Sequence, residues 1–259
     1  MLTPFGGAGD RQTRARRLRP LLVAQLAFAE RLRTLRNEDR DHGLLHYTNL
    51  HRRFGYGVPS AEVSPAGWLA FLEAARRAPD SDALVDVAQR HFVLGTDERP
   101  LGGHAVFGCF SFTTPGADGR VRIHFIDRES NPDAGPLALV NLSRRRNELA
   151  RLTRAVITRH PEATHIRGRS WLYHRASYRR LFPPAYVATR TTVDEGLGFQ
   201  GGSCWGQFQT RIGVDTDACA RLVERLPMLD AEYPWRIFPC VPQAVEAPIE
   251  RFAEEYLER

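Results

Sequence analysis

The sequence predicts an α/β (α+β) fold, with a mixed, antiparallel-rich central sheet flanked by helices and a helical N-terminal region. Three observations predict it. Apolar residues before residue 100 recur at helical spacing. Residues from His104 to Leu142 either alternate apolar with polar or run apolar without a break, as strands do. From Ser143 to Val193 the pattern reads helix, strand, helix, strand.

In chain order, residues 1–19 read as a flexible basic arm, because Arg11, Arg14, Arg16, Arg17 and Arg19 cluster among few apolar neighbours. The helical region spans 20–100. Pro20 opens a helix to Arg36 with Leu21, Phe28, Leu32 and Leu35 as its stripe. Ser64 and Pro65 open a second helix that buries Trp68, Phe71 and Leu72, and Asp80 with Ser81 caps a third carrying Leu84, Val87, Ala88, His91 and Phe92.

Residues 101–259 form the sheet-bearing domain with a C-terminal extension. His104–Thr114 and Val121–Asp127 read as strands joined by the turn Pro115-Gly116-Ala117-Asp118-Gly119. Simple register puts Phe110 and Phe112 on the apolar face and Ser111 beside His124. Leu137–Leu142 reads as a buried central strand. Ser143 then caps a helix with the stripe Leu149, Leu152 and Val156. Thr164–Tyr173 reads as a strand, His174–Phe182 as a short helix, and Tyr186–Val193 as a further strand. A glycine-rich segment, Glu195–Phe208, precedes helices near Asp217–Arg225 and Pro248–Leu257.

Composition narrows the chemistry. All 36 basic residues are arginine and the net charge is +6, so P-loop and Schiff-base lysine mechanisms are excluded. The positive charge favours anionic partners. The four cysteines form no CxxC pair, and no run approaches the ~18 apolar residues of a membrane span. The N-terminus carries no apolar signal region, and a cytoplasmic protein with free thiols is the expectation. His42 and His46 would share a helix face, yet no HExxH pattern accompanies them and no metal is expected. Gly-Ser-Cys204-Trp205 is locally similar to the papain-type nucleophile core, but the last histidine, His174, lies upstream of it.

The most informative stretch is Leu142-Ser143-Arg144-Arg145-Arg146-Asn147. Cations at a helix start oppose the helix dipole, at about 0.3–1 kcal/mol each, and free amides beside guanidinium groups suit a phosphate. Solvated arginines splayed from the helix end, or a helix that starts a turn earlier, are the other readings. The order strand, strand, strand, helix, strand, helix, strand over residues 104–193 resembles the core of the GNAT N-acyltransferase superfamily. LSRRRNEL has the basic residues of that family's loop without its glycines, and Tyr178, Leu181 and Phe182 stand where a later helix of the family carries Tyr and Gly-Phe.

The resemblance implies acyl transfer from acyl-CoA, as cosubstrate, to an amine of a small molecule, with the CoA pyrophosphate on Leu142–Asn147. It implies Tyr178, or else Tyr173, as the acid that protonates the leaving thiolate, and His124, Asp127 or Glu129 as the base. Each has a plainer reading: a tyrosine packs with its hydroxyl bonded, and His124 pairs with Ser111. Trp171, Tyr173 and Tyr178 interleave with arginines, as in nucleic-acid binders, but no RRM, KH or helix-turn-helix pattern joins them. The other class of function is a non-catalytic binding or regulatory protein whose arginine-lined cleft holds an anionic ligand or nucleic acid.

Overall fold

A computed structural model of the chain describes residues 7–57, 65–96, 105–129, 134–193, 197–210 and 213–258. The expected positions His104, Ser64 and Glu195 lie outside them. The chain divides into two compact units. One holds Pro4–Pro100 with Asp194–Val241, and the other holds Leu101–Val193 with Pro242–Arg259. Residues 194–241, expected with the sheet, therefore group with the helical unit.

The helical unit opens with α1, Gly7–Arg36, followed by α2 (Arg40–His46), α3 (Leu50–Arg53), α4 (Ala66–Arg77) and α5 (Ser81–Leu94). The expected basic arm is thus part of α1 from Gly7 onward, and Pro20 lies inside the helix rather than at its start. The reason is burial of apolar positions and of one arginine stem along this stretch. Ala15, Leu18, Leu21 and Leu22 are buried along one face, and Arg11 packs over the Phe92 ring at 4.8 Å while its Nε donates to the Phe92 carbonyl at 3.1 Å. Arg19 pairs with Asp82 and Asp86 of α5 at 3.0 and 2.6 Å. Leu35, expected in the stripe, is exposed. Asp80 caps α5 by accepting the Ala83 N–H at 2.8 Å, as its sequence predicts.

The sheet unit contributes β1 (Val106–Phe107), β2 (Phe110–Phe112), β3 (Arg120–Phe125), α6 (Leu142–Arg159), β4 (His165–Ser170), α7 (Ala176–Arg179), α8 (Pro184–Ala188) and β5 (Thr191–Thr192). The chain then returns to the helical unit for α9 (Gly202–Trp205), the short pair β6 (Gln209–Thr210) and β7 (Gly213–Val214), and α10 (Thr216–Arg225). It ends in the sheet unit with β8 (Gln243–Pro248) and α11 (Ile249–Tyr256). The six strands run in the order β1-β2-β3-β4-β8-β5, antiparallel except for the parallel pair β3–β4. This is a mixed sheet flanked by helices. Among the described residues no helix is long and apolar enough to cross a membrane.

Three strand assignments are corrected. The single strand expected over His104–Thr114 is two short strands around a tight turn, which Gly108 permits at φ +63°. Leu137–Leu142 is not a central strand: Leu139–Asn141 is one 3₁₀ turn, with Leu139 71% and Val140 76% exposed. Tyr186 is in α8, because Pro184 suits the first turn of a helix, and only Thr191–Thr192 pair as a strand. The inner position beside β4 is taken instead by β8, which had no strand expectation.

One sheet face is apolar. Phe110, Phe112, Val121, Ile123, Ile166, Val245 and Ala247 are buried in one core with Leu149, Leu152 and Val156 of α6 and Phe252 of α11. Because side chains alternate along a strand, Arg120, Arg122, His124, Arg167 and Arg169 take the opposite face. The register Ser111–His124 is the expected one.

Candidate functional site

The sheet has one built-in discontinuity. β3 and β4 pair in parallel at Arg120–His165, Val121–Ile166 and Arg122–Arg167, and no further. Beyond these residues β3 stays with β2 as far as Phe125, and β4 stays with β8 as far as Ser170. The two strands therefore part at Arg122 and Arg167. Of the sequence-derived candidates, His124 lies on the polar face of the sheet, Tyr173 and Tyr178 lie in the core on the apolar face, and Asp127 and Glu129 lie in the loop after β3, so the sheet separates His124 from the two tyrosines.

Tyr173 follows β4 in a 3₁₀ turn over Trp171–His174, and Tyr178 sits in α7. Both are buried in the apolar core with Tyr186. The Tyr173 and Tyr186 hydroxyls lie 2.9 Å apart, the Tyr173 and Tyr178 rings 5.1 Å apart, and Tyr178 packs edge-on to Phe125 at 5.4 Å. Gly168 of β4 makes this possible, since a Cβ there would collide with the Tyr173 and Tyr186 hydroxyls. Burial first, and then the neighbouring tyrosine, holds the Tyr173 and Tyr178 phenols well above their ordinary range. They are protonated, hydrogen-bonded groups at neutral pH.

At the start of α6 the three consecutive arginines go three different ways. Arg144 is half exposed, donates to Glu129, and reaches Asn141 Oδ1 at 2.8 Å. Arg145 points inward between Glu148 at 2.9 Å and Glu129 at 3.6 Å, with Nη1 on Cys109 Sγ. Arg146 pairs with Glu255 and covers the Tyr256 ring at 5.5 Å. Each guanidinium thus has its own carboxylate, which answers the repulsion at the helix start within the protein. The expectation of three ligand-facing arginines holds at most for Arg144. Glu129 and Glu148 are buried, and the Glu148 carboxylate also accepts the Cys109 N–H at 3.0 Å. Burial raises the Glu148 carboxyl above its usual range, against the pull of that N–H and of Arg145.

Asn141, not Ser143, is the N-cap of α6, and it makes no side-chain cap bond. Its first turn holds no acidic residue, and Ser143 and Asn147 are exposed. Leu142 is half-buried and follows an exposed turn where a buried strand was expected. Asp127 Oδ1 accepts the Glu129 N–H at 2.9 Å, so it shapes the loop after β3. Glu129, paired with two arginines, is held away from the role of free base.

The helical unit holds a separate cavity of about 800 Å³ lined by Arg36, His42, His46, Tyr47, Phe199 and Trp235 among others. His42 and His46 do share a face of α2, with rings 4.3 Å apart, and burial followed by His42 lowers the His46 imidazole. Glu38 lies 3.5 Å from His42 and accepts the Tyr47 hydroxyl. Among the described residues no cluster of three potential ligands is arranged for a metal ion. Sequence reasoning found the histidines and missed Tyr47, the next residue after His46, and Phe199 and Trp235, which reach this cavity from distant segments. Cys204 is fully buried beside Trp205, and burial alone pushes its thiol far above the ordinary range, unlike an activated nucleophile.

No protein-family model, curated protein or solved structure matches this chain.

Proposed function

We propose that the sheet unit is a GNAT-like acyltransferase that moves an acyl group from acyl-CoA to an amine of a small molecule. One observation carries the reading. Three strands, a long helix, a strand, short helices and a further strand follow each other on one mixed sheet, and the strands before and after the long helix run parallel and then part. The order is the one read from the sequence, although its third strand is β3 and not Leu137–Leu142.

In this reading the CoA pyrophosphate lies at the opening of α6, whose first turn has no side-chain cap and no carboxylate, although the Asn141 and Leu142 amides are already bonded to the preceding 3₁₀ turn. Arg144 is the guanidinium placed there. The amine attacks the thioester carbonyl, the C–N bond forms as the C–S bond breaks, and the amine proton leaves to a base as the thiolate takes one from an acid. His124, one step beyond Arg122 where the strands part, is the base that fits. Tyr173 and Tyr178 are the acids the resemblance implies; burial raises both phenols, which weakens them as proton donors, and they lie in the core on the other face of the sheet from His124.

The test is calorimetric titration of the full chain with CoA and acetyl-CoA at moderate salt. Saturable binding, weakened about tenfold by Arg144→Ala as expected for a lost charge-assisted bond, supports the assignment. No binding at millimolar ligand overturns it. The burial of Tyr173 and Tyr178 in the apolar core favours a second reading, a non-catalytic protein that binds an anionic ligand or nucleic acid. Salt-dependent oligonucleotide binding without CoA binding would mark that one.

A further inference from the structure

We propose that Arg122, Arg167 and Arg169 form a binding site for a small oxyanion on the polar face of the sheet, where β3 and β4 part. Arg122 and Arg167 are direct cross-strand partners, and Arg169 follows on the same face. Like charges directly opposite each other destabilise a sheet, so this arrangement opposes folding unless something of opposite charge joins it.

Two carboxylates on this face answer Arg120 and Arg167 and leave Arg122 without one. Glu246 and Asp118 are taken by Arg120, at 3.0 and 3.3 Å, and Asp118 also lies 3.6 Å from Arg167. Glu246 is also the direct cross-strand partner of Arg167 on β8, so Arg167 has carboxylates near it, and the guanidinium left over in this row is that of Arg122. Arg122 itself has no side-chain hydrogen bond and no ion pair among the described residues, and its Nε is buried without an acceptor. It is half-buried, and burial, then Arg169, then Arg167 lower its guanidinium below the ordinary arginine range. A half-buried guanidinium without a carboxylate is costly, and an apolar residue of similar size would serve the sheet better. Local rules are broken in this way chiefly at functional sites.

The chemistry of the occupant follows from the donors. Planar guanidinium forks match the oxygens of a phosphate or a carboxylate. The site is separate from the opening of α6 and stands whether or not the chain binds CoA. If it transfers acyl groups, an oxyanion here makes the acceptor an amine that carries its own acidic group.

The test is thermal unfolding of the full chain in inorganic phosphate, acetate or chloride at matched ionic strength. At ten times its dissociation constant, phosphate is expected to raise the midpoint by about 3 °C over chloride. Arg122→Met should match or exceed the wild-type midpoint in chloride and lose most of the phosphate shift. Arg167→Gln, an exposed position, should fold in any case and reduce the shift. A response to acetate in place of phosphate assigns a carboxylate to the same arginines. The proposal is overturned if neither anion exceeds chloride, or if wild type and both variants respond equally. CoA carries phosphates of its own, so its calorimetry is repeated on Arg122→Met: CoA binding that survives there lies outside this site.

Discussion

Arg145 and Glu148 form an ion pair at 2.9 Å in which the side chains keep only 3% and 5% of their surface exposed. With Glu129 on the other side of the guanidinium and the Cys109 N–H on the Glu148 carboxylate, the pair joins α6 to the β1–β2 turn and to the loop after β3. Removing one partner of such a pair leaves an uncompensated buried charge. Arg145→Met should therefore lower unfolding free energy by about 3–5 kcal/mol, whereas Arg144→Ala should cost at most about 1 kcal/mol. Urea unfolding of both variants checks this. Equal, small losses would mean that Arg145 is as dispensable as a surface arginine.

Gly168 gives a second prediction. A methyl group there meets two phenol oxygens and one ring, so Gly168→Ala should destabilise by about 1–3 kcal/mol through overpacking. Tyr173→Phe removes one of the oxygens, and the double variant should recover part of the loss. Additive losses in the double-mutant cycle would disprove the contact.

The third concerns acid. His51 is fully buried, neither ring nitrogen has a hydrogen-bond partner, and its ring packs edge-on to Trp68 at 5.8 Å. Burial, with the charges of Arg52 and His46, lowers its imidazole from 6.5 to about 4. Between those values the unfolded chain binds the proton and the folded chain does not. The stability that neutral His51 secures is complete above pH 6.5 and is lost as the pH falls toward 4, a span worth about 3 kcal/mol. Unfolding free energy measured at pH 7 and pH 4 should fall more in the wild type than in His51→Leu. Parallel pH profiles would contradict the assignment.

Thiol chemistry supplies the fourth. Cys109, Cys204 and Cys219 are buried and burial raises all three thiols, Cys219 to about 11, whereas Cys240 is partly exposed. A thiol reagent at neutral pH should modify Cys240 first in the folded chain, and Cys240→Ser should remove that fast phase. A fast phase that survives Cys240→Ser would show that a thiol assigned to the interior is accessible.

The sequence was most legible where local signals and burial agree. The β2–β3 register followed from alternation across a short turn, and the α6 stripe of Leu149, Leu152 and Val156 is buried as its spacing requires. Leu137–Leu142 misled because a short apolar run does not distinguish a buried strand from a turn that leaves Leu139 and Val140 exposed. β8 was invisible for the opposite reason. Gln243-Ala-Val-Glu-Ala-Pro248 has little β-propensity, and pairing with β4 along its whole length makes it a strand. The arginines of α1 read as a solvated arm because composition hides that their stems cover apolar surface, as Arg11 does on Phe92. The cluster at Arg122 depends on the parallel register of β3 and β4, which no local pattern encodes.

The placement of β8 has a consequence for synthesis. Residues 194–241 belong to the helical unit, so that unit has all its segments once Val241 is made, while the sheet unit still lacks the strand between β4 and β5. Until Pro248 emerges, β4 has an unpaired edge along its whole length, and β5 has no neighbour at all. The sheet unit is thus the later of the two to have all its segments. A chain that ends after Val241 but before Gln243 has every segment of the helical unit and lacks β8, so it is left with an open strand edge on β4, a template for association with other chains.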